Sequence, residues 1–170
     1  TFEITPNKGE YYLMDKSQGN LVNHVIFQCP NEKGKGVLVA PTVHGNLIVG
    51  PDSQPSAADD VSTTKQGLDF VRNTALKSVP GINFRESIRN FAGVRARTAD
   101  HDFHIYEDKN NKGFINIAGM QSPGLSSACA IAPDILKMLE NSGLTLEAKE
   151  DIVEERHIDR FKHLSHEDRA

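Results

Sequence analysis

From Glu10 to Gly50, short apolar runs alternate with turn residues. Tyr11 to Met14, Leu21 to Phe27, Val37 to Ala40 and Leu47 to Val49 read as strands, because β-branched and aromatic runs bounded by Gly, Pro, Asn and Ser suit a pleated, half-buried surface. Their succession predicts an antiparallel meander. His44, Gly45 and Asn46 join the last two runs as a hairpin, with Gly45 or Asn46 supplying the positive φ that such a turn needs. After the polar loop Pro51 to Asp60, Thr63 and Gln66 have the spacing of a capping box. Leu68, Val71, Ala75, Leu76 and Val79 then recur at helical intervals until Pro80 and Gly81. The spacing predicts an amphipathic helix over Thr64 to Ser78 that covers one face of a sheet.

Strand character returns from Ile82 to Ala96 and again from Asp100 to Asp108, and Asn110 to Gly113 forms a turn. Phe114 to Ala118 is a further, buried strand, Gly119 to Gly124 a tight loop, and Leu125 the start of a helix that runs to about Glu140. Pro133 interrupts that helical pattern. A proline there removes one backbone donor and costs roughly 3 kcal/mol, so a kink or a restart is expected. Beyond Gly143, Thr145 to Arg156 is highly charged and poor in apolar anchors, as in a solvated helix or a linker. The fold class expected is α+β: a mostly antiparallel sheet with covering helices.

Composition narrows the class of partner. The chain has 170 residues, 38% hydrophobic and 25% charged, enough for one domain with a real core. Its net charge of -4 gives no basic footprint for nucleic acid or a membrane surface. Cys29 and Cys129 are far apart and lack zinc-type spacing, which fits reduced thiols and a cytoplasmic setting. No G-x-S-x-G, P-loop or G-x-G-x-x-G occurs, so hydrolase and nucleotide-fold readings find no anchor here.

Three features carry candidate chemistry. The loop at Gly119 to Gly124 opens into a helix whose first residues, Ser126, Ser127 and Ala128, are small, so exposed N–H groups and the positive end of the helix dipole favour a negatively charged ligand. The same small residues also suit close packing. Arg85, Arg89, Arg95 and Arg97 form a basic group that either binds a carboxylate or phosphate or solvates an edge strand. Arg95 leads among them, because Gly93 two residues earlier lets a ligand approach the backbone. His44 in the hairpin turn is a candidate general base. His101 and His104 have H-x-x-H spacing, which on a strand points the rings to opposite faces and argues against a metal site. His157, His163 and His166 sit in the charged tail, where solvation is expected.

Four segments in order, Lys8-Gly9-Glu10-Tyr11-Tyr12, Gly36 to Leu47, Phe91-Ala92-Gly93-Val94-Arg95 and Ile117 to Leu125, resemble the FAD-dependent oxidoreductases of the D-amino-acid oxidase superfamily. Within that superfamily the resemblance is to the branch of glycerol-3-phosphate dehydrogenase and L-2-hydroxyglutarate oxidase. It implies that residues 1–143 are the substrate-binding sheet followed by a flavin-facing strand, loop and helix at 113–140. Residues 144–170 are then a charged connector, which in some relatives precedes an iron–sulfur type domain. The Rossmann portion that binds the ADP half of FAD is N-terminal to all of this in the family, so the chain is expected to be a fragment of a longer protein. Alone it is expected to be inactive and to bind FAD weakly.

By the same resemblance Arg95 reaches the substrate's anionic or hydroxyl groups beside the flavin, with Ala96 in place of the family's usual proline. Gly93, Met120, Gln121, Ser122, Pro123, Gly124 and Leu125 contact the cofactor, the loop and helix start facing the pyrimidine end of its ring. Gln121 and Ser122 stand where some glycerol-phosphate enzymes carry a lysine. The implied activity is oxidation of a small anionic hydroxy compound, first glycerol 3-phosphate and alternatively a 2-hydroxy acid such as 2-hydroxyglutarate. A non-catalytic binding or assembly module is the contrasting class.

Overall fold

The computed structural model describes residues 2–29, 36–152 and 164–165. The long N-terminal strand β1 (Ile4–Met14) is central to the main sheet. Strands β2 (Leu38–Pro41) and β3 (Leu47–Gly50) form a hairpin, and β3 pairs antiparallel with the end of β1, Tyr12 opposite Val49. The short β4 (Gln54–Pro55) pairs with Asn7 and Lys8 on the same side. On the other side, β5 (Ser87–Thr98) pairs with β1 over its whole length, Ile4 opposite Thr98 and Tyr11 opposite Phe91. The expected meander is therefore corrected: β1 lies between strands that follow it in sequence.

Helix α1 (Lys65–Ser78) confirms the amphipathic reading. Its Val71 and Ala75 are buried against Met14 of β1, Val39 of β2 and Leu47 and Val49 of β3, and these residues form the core. The hairpin turn uses Gly45, at φ 84, where a side chain would be strained. Leu21 to Phe27 makes no strand. It contributes one bridge, Ile26 to Val39, and leaves Val25 and Phe27 more than half exposed. A run at the rim of a sheet with a single point of pairing cannot propagate a ladder.

Period two along β1 separates two environments. Lys8, Glu10 and Met14 face α1, whereas Asn7, Gly9 and Tyr11 face the opposite side with Arg95, Gly93 and Phe91 of β5 across from them. Beneath the start of α1 the burial is polar. Glu10 is fully buried, and its carboxylate accepts hydrogen bonds from the Thr64 N–H (2.8 Å), the Thr64 hydroxyl (2.9 Å) and the Gln54 amide (2.8 Å). Thr64, one residue beyond the expected Thr63, is the N-cap, its side chain accepting from Gly67 N–H. The reciprocal bond that a capping box draws from its own third residue comes here from Glu10 of β1. Lys8, also buried, donates to Asp60 at 2.7 Å. That bond raises the lysine's pKa, and chiefly through it Asp60 is lowered to about 2.

Gly67 has no room for a side chain: a Cβ there would lie 2.6 Å from the Glu10 carboxyl carbon. In an open helix Gly→Ala stabilises by about 1 kcal/mol. Here the contact is with a buried carboxylate fixed by three hydrogen bonds, and overpacking of that kind costs about 1–3 kcal/mol plus the weakened bonds. Gly67→Ala is therefore expected to lower the denaturation midpoint, against its helix propensity.

A second, two-stranded sheet follows, of β6 (His104–Glu107) and β7 (Ile115–Ala118), with Ile105 opposite Ile117; β7 is not the buried strand expected, because a two-stranded sheet leaves Ile117 and the preceding Phe114 at least half exposed. Helix α2 (Gly124–Asn141) then continues through Pro133 as one element, so the helix does not restart there. The carbonyl that proline leaves without a helical donor belongs to Cys129, which is exposed and open to water. Residues 144–152 are irregular and exposed, which removes the helical alternative for that part of the charged segment. His157, His163 and His166 lie outside the described residues.

Candidate functional site

Asn7 and Tyr11 of β1 and Arg95 of β5 line a cavity of about 680 Å³, which Gly67 and Phe70 of α1 also line. Arg95 enters it because its diagonal neighbour on β1, Gly9, leaves space. A Cβ on Gly9 would meet the guanidinium at 2.5 Å and the Pro51 side chain at 2.7 Å, so the arginine lies flat over that glycine. Its N–H groups donate to the Asn7 side-chain oxygen at 3.3 Å and the Tyr11 hydroxyl at 3.4 Å. Both bonds are long and both acceptors neutral, which leaves a charged fork with donors to spare. Tyr11 is itself held by a parallel stack on Phe91, ring centres 5.1 Å apart.

Gly93 is exposed on this same side, directly opposite Gly9, and a Cβ there would meet nothing within 4 Å. The pair of glycines thus makes a floor in which one position holds the arginine and the other stays open. Asp52 also lines the cavity, with both oxygens engaged: one accepts from the Glu10 N–H at 2.7 Å, the other from the Gln54 amide at 2.9 Å. Burial raises its pKa, an effect that the Glu10 N–H opposes.

The loop before α2 reaches the cavity through Gln121 and Ser122. It is fastened to the turn after β5 at two points. The Gln121 amide donates to the His101 carbonyl at 2.7 Å, and Gly119, at φ 68, lies so close that a Cβ would be 2.6 Å from the Asp102 carbonyl. That carbonyl also accepts from the Thr98 hydroxyl at 2.8 Å. The loop closes on itself through Gln121 N–H to Gly119 and Gly124 N–H to Gln121. Pro123 occupies the N-cap position of α2 and no side chain caps the first turn. Leu125 is 94% exposed, and Phe114, Ile117 and Leu136 are each at least half exposed. The start of α2 has no side-chain competitor for its N–H groups.

The sequence candidates thus fall into two groups. Arg95, Gly93, Gln121 and Ser122 adjoin one cavity or its floor, and Met120, Pro123, Gly124 and Leu125 continue the same loop into α2. His44 is not brought to them. It is exposed at the β2–β3 hairpin tip, beyond the Met14 end of β1, while Arg95 faces Asn7. Seven strand residues separate those ends, roughly 23 Å. The β2–β3 hairpin extends away from the cavity, so its tip cannot overhang it. Arg85 and Arg89 are exposed outside the lining, as solvated arginines. His101 and His104 diverge, His101 toward Arg97 and His104 to Asp100 at 3.0 Å, the latter bond holding Asp100 at about 2. Sequence reasoning missed Asn7, Tyr11 and Asp52. A period-two reading of Asn7, Gly9 and Tyr11 as one strand face would have found the first two.

The model of the FAD dependent oxidoreductase family matches residues 1–136. A glycerol 3-phosphate dehydrogenase of Caloramator mitchellensis is 48% identical over 169 residues, which is 98% of this chain and 35% of that protein. A glycerol 3-phosphate oxidase of Mycoplasma genitalium is 38% identical over 142 residues, 81% of this chain and 37% of that protein. Among solved structures, the dithionite-reduced L-α-glycerophosphate oxidase of Mycoplasma pneumoniae with FAD bound superimposes with a TM-score of 0.78 at 32% identity, covering 88% of this chain and 39% of that one. A glycine oxidase of Geobacillus kaustophilus shares the fold, with a TM-score of 0.72 at 21% identity over 94% of this chain and 41% of that one. The chain spans about a third of the length of the curated relatives it matches most extensively. The order of strand, arginine, loop and helix read from the residues and the family match over 1–136 agree, and the chain belongs to the FAD dependent oxidoreductases.

Proposed function

We propose that this chain serves as the substrate-binding sheet and flavin-facing segment of a longer dehydrogenase or oxidase that oxidises glycerol 3-phosphate at C2. The observation that carries this reading is the 48% identity to a glycerol 3-phosphate dehydrogenase over 98% of the chain. The Arg95 guanidinium, with donors free in the cavity, supports it. Oxidation at C2 removes a hydride from carbon and a proton from the hydroxyl, and the flavin, when bound, supplies the hydride acceptor. The residues of this chain bind and orient. Arg95 holds the anionic or hydroxyl groups of the substrate in the cavity. With a flavin bound, the N–H groups of Met120, Ser122 and Leu125, which the bonds within the loop leave over, would supply donors for the negative charge that gathers at the pyrimidine end of the ring. Gly93 gives the reacting carbon room to approach.

The remainder of that polypeptide supplies the Rossmann portion for the ADP half of FAD, in this reading. Residues 1–143 form the working unit and 144–170 a connector toward any further domain, including one of iron–sulfur type. The irregular, exposed course of 144–152 supports this division. Among the described residues no helix is long and apolar enough to cross a membrane, and we place the enzyme in the cytoplasm. A 2-hydroxy acid is the second candidate substrate, favoured by 26% identity to a mitochondrial L-2-hydroxyglutarate dehydrogenase of Arabidopsis thaliana over 75% of the chain.

Anaerobic mixing of the full-length flavoprotein with each compound separates the two. Glycerol 3-phosphate is expected to bleach the flavin absorbance, and L-2-hydroxyglutarate to leave it unchanged at equal concentration. Bleaching by the hydroxy acid alone would replace the substrate, and a full-length protein that holds no flavin would remove the reading altogether.

A further inference from the structure

We propose that Arg97, braced by His101, is a second anion anchor in the cavity, binding the phosphate group of a phosphate-ester substrate beside Arg95. This rests on the glycerol 3-phosphate reading and assigns the residue that selects phosphate over carboxylate. Arg97 is opposite Thr5 and Arg95 opposite Asn7, so both point to the same side of β5, and both line the cavity. Side chains two positions apart on a strand start about 7 Å from each other. Among the described residues neither arginine forms an ion pair with a carboxylate. The nearby lining carboxylate, Asp52, has both oxygens occupied. Two guanidinium groups thus line one cavity, and among the described residues neither is in an ion pair. A doubly charged phosphate gains from both, whereas a singly charged carboxylate satisfies one fork.

The bracing has its own structural signature. Arg97 Nη2 is 2.7 Å from His101 Nδ1. A guanidinium has only donors, so Nδ1 accepts, and His101 is the neutral tautomer with its proton on Nε2. The pair therefore keeps one positive charge. His101 has φ 62, the one positive-φ residue other than glycine among those described. Such a backbone is strained for a residue with a side chain and persists only where its surroundings enforce it. Here the Thr98 carbonyl accepts its N–H at 3.1 Å, and the Gln121 amide donates to its carbonyl at 2.7 Å. Gln121 lines the same cavity, so the loop before α2 and the aim of Arg97 are set by one turn.

The test uses the full-length flavoprotein, with inorganic phosphate and acetate as probes followed by titration calorimetry. Arg97→Gln is expected to raise the phosphate Kd about tenfold or more, as loss of a charged bidentate contact should, and the acetate Kd less than about twofold. The KM for glycerol 3-phosphate should rise in parallel, with kcat within about threefold. Arg97→Lys should recover part of the phosphate affinity. His101→Gly removes the ring but suits the positive φ, and should weaken phosphate severalfold with no fall in Tm. Equal weakening of phosphate and acetate, or a phosphate Kd untouched by Arg97→Gln, would overturn the assignment, as would a parent protein that binds no phosphate. Binding needs no turnover. Phosphate held through Arg97 in a protein that glycerol 3-phosphate fails to reduce would therefore overturn the substrate reading and leave the anchor standing.

Discussion

Glu10→Ala is expected to destabilise the fold by about 3–5 kcal/mol, the range for removing one member of a buried charged network. Three donors lose their acceptor together: the Thr64 N–H, the Thr64 hydroxyl and the Gln54 amide. Lys8, buried and 3.8 Å from Glu10, is left with Asp60 alone. The first turn of α1 loses the group that completes its cap, worth about 1 kcal/mol by itself. Urea denaturation of the 170-residue chain measures the loss, and an unchanged midpoint would mean that water replaces the carboxylate without penalty. A double-mutant cycle adds a sharper reading. With the carboxylate gone, Gly67→Ala should regain the benefit of alanine in a helix and become neutral or stabilising, so the two changes must be strongly non-additive.

Arg95→Ala in the full-length enzyme is expected to lower kcat/KM on the order of 100-fold, while stability changes by less than about 1 kcal/mol. The two numbers differ because the arginine holds little of the fold. Its bonds to Asn7 and Tyr11 are long and to neutral atoms, and the ladder between β1 and β5 is backbone. Its value lies in donors left for a ligand. Arg95→Lys keeps the charge but loses the planar fork, and should fall between the two. Steady-state kinetics with thermal denaturation of the same preparations checks both halves. A fall in Tm that accounts for the lost activity would return Arg95 to a structural role.

Elements whose own sequence carries a period were legible. The α1 stripe of Val71 and Ala75, the β2–β3 hairpin with Gly45, and the strand, loop and helix ending in α2 all follow from local pattern. The first half of β1 was not legible, because Asn7, Lys8, Gly9 and Glu10 look like a polar turn. They are extended because β5 pairs on one side and β4 on the other, an environment no window around them contains. The site divides in the same way. Arg95 and the residues from Gly119 to Leu125 were legible from type and spacing together with the family resemblance. Arg95's partners were not, since Asn7 is 88 residues away. His44 had the right chemistry, but the hairpin that carries it points away from the cavity.

The pairing of β1 with β5 also constrains how the chain is made. Asn7 leaves the ribosome long before Arg95 exists, and at about 5–20 residues per second the interval is roughly 4–18 s. For that time the edge of the sheet's central strand that β5 covers lacks that partner. A nascent protein with its principal contacts so far apart folds late and slowly, and its unpaired edge is open to other chains. The strand that shapes the anion-binding floor is thus also the segment most exposed to mispairing during synthesis, and crowding or starvation for later codons should reduce soluble yield through it first.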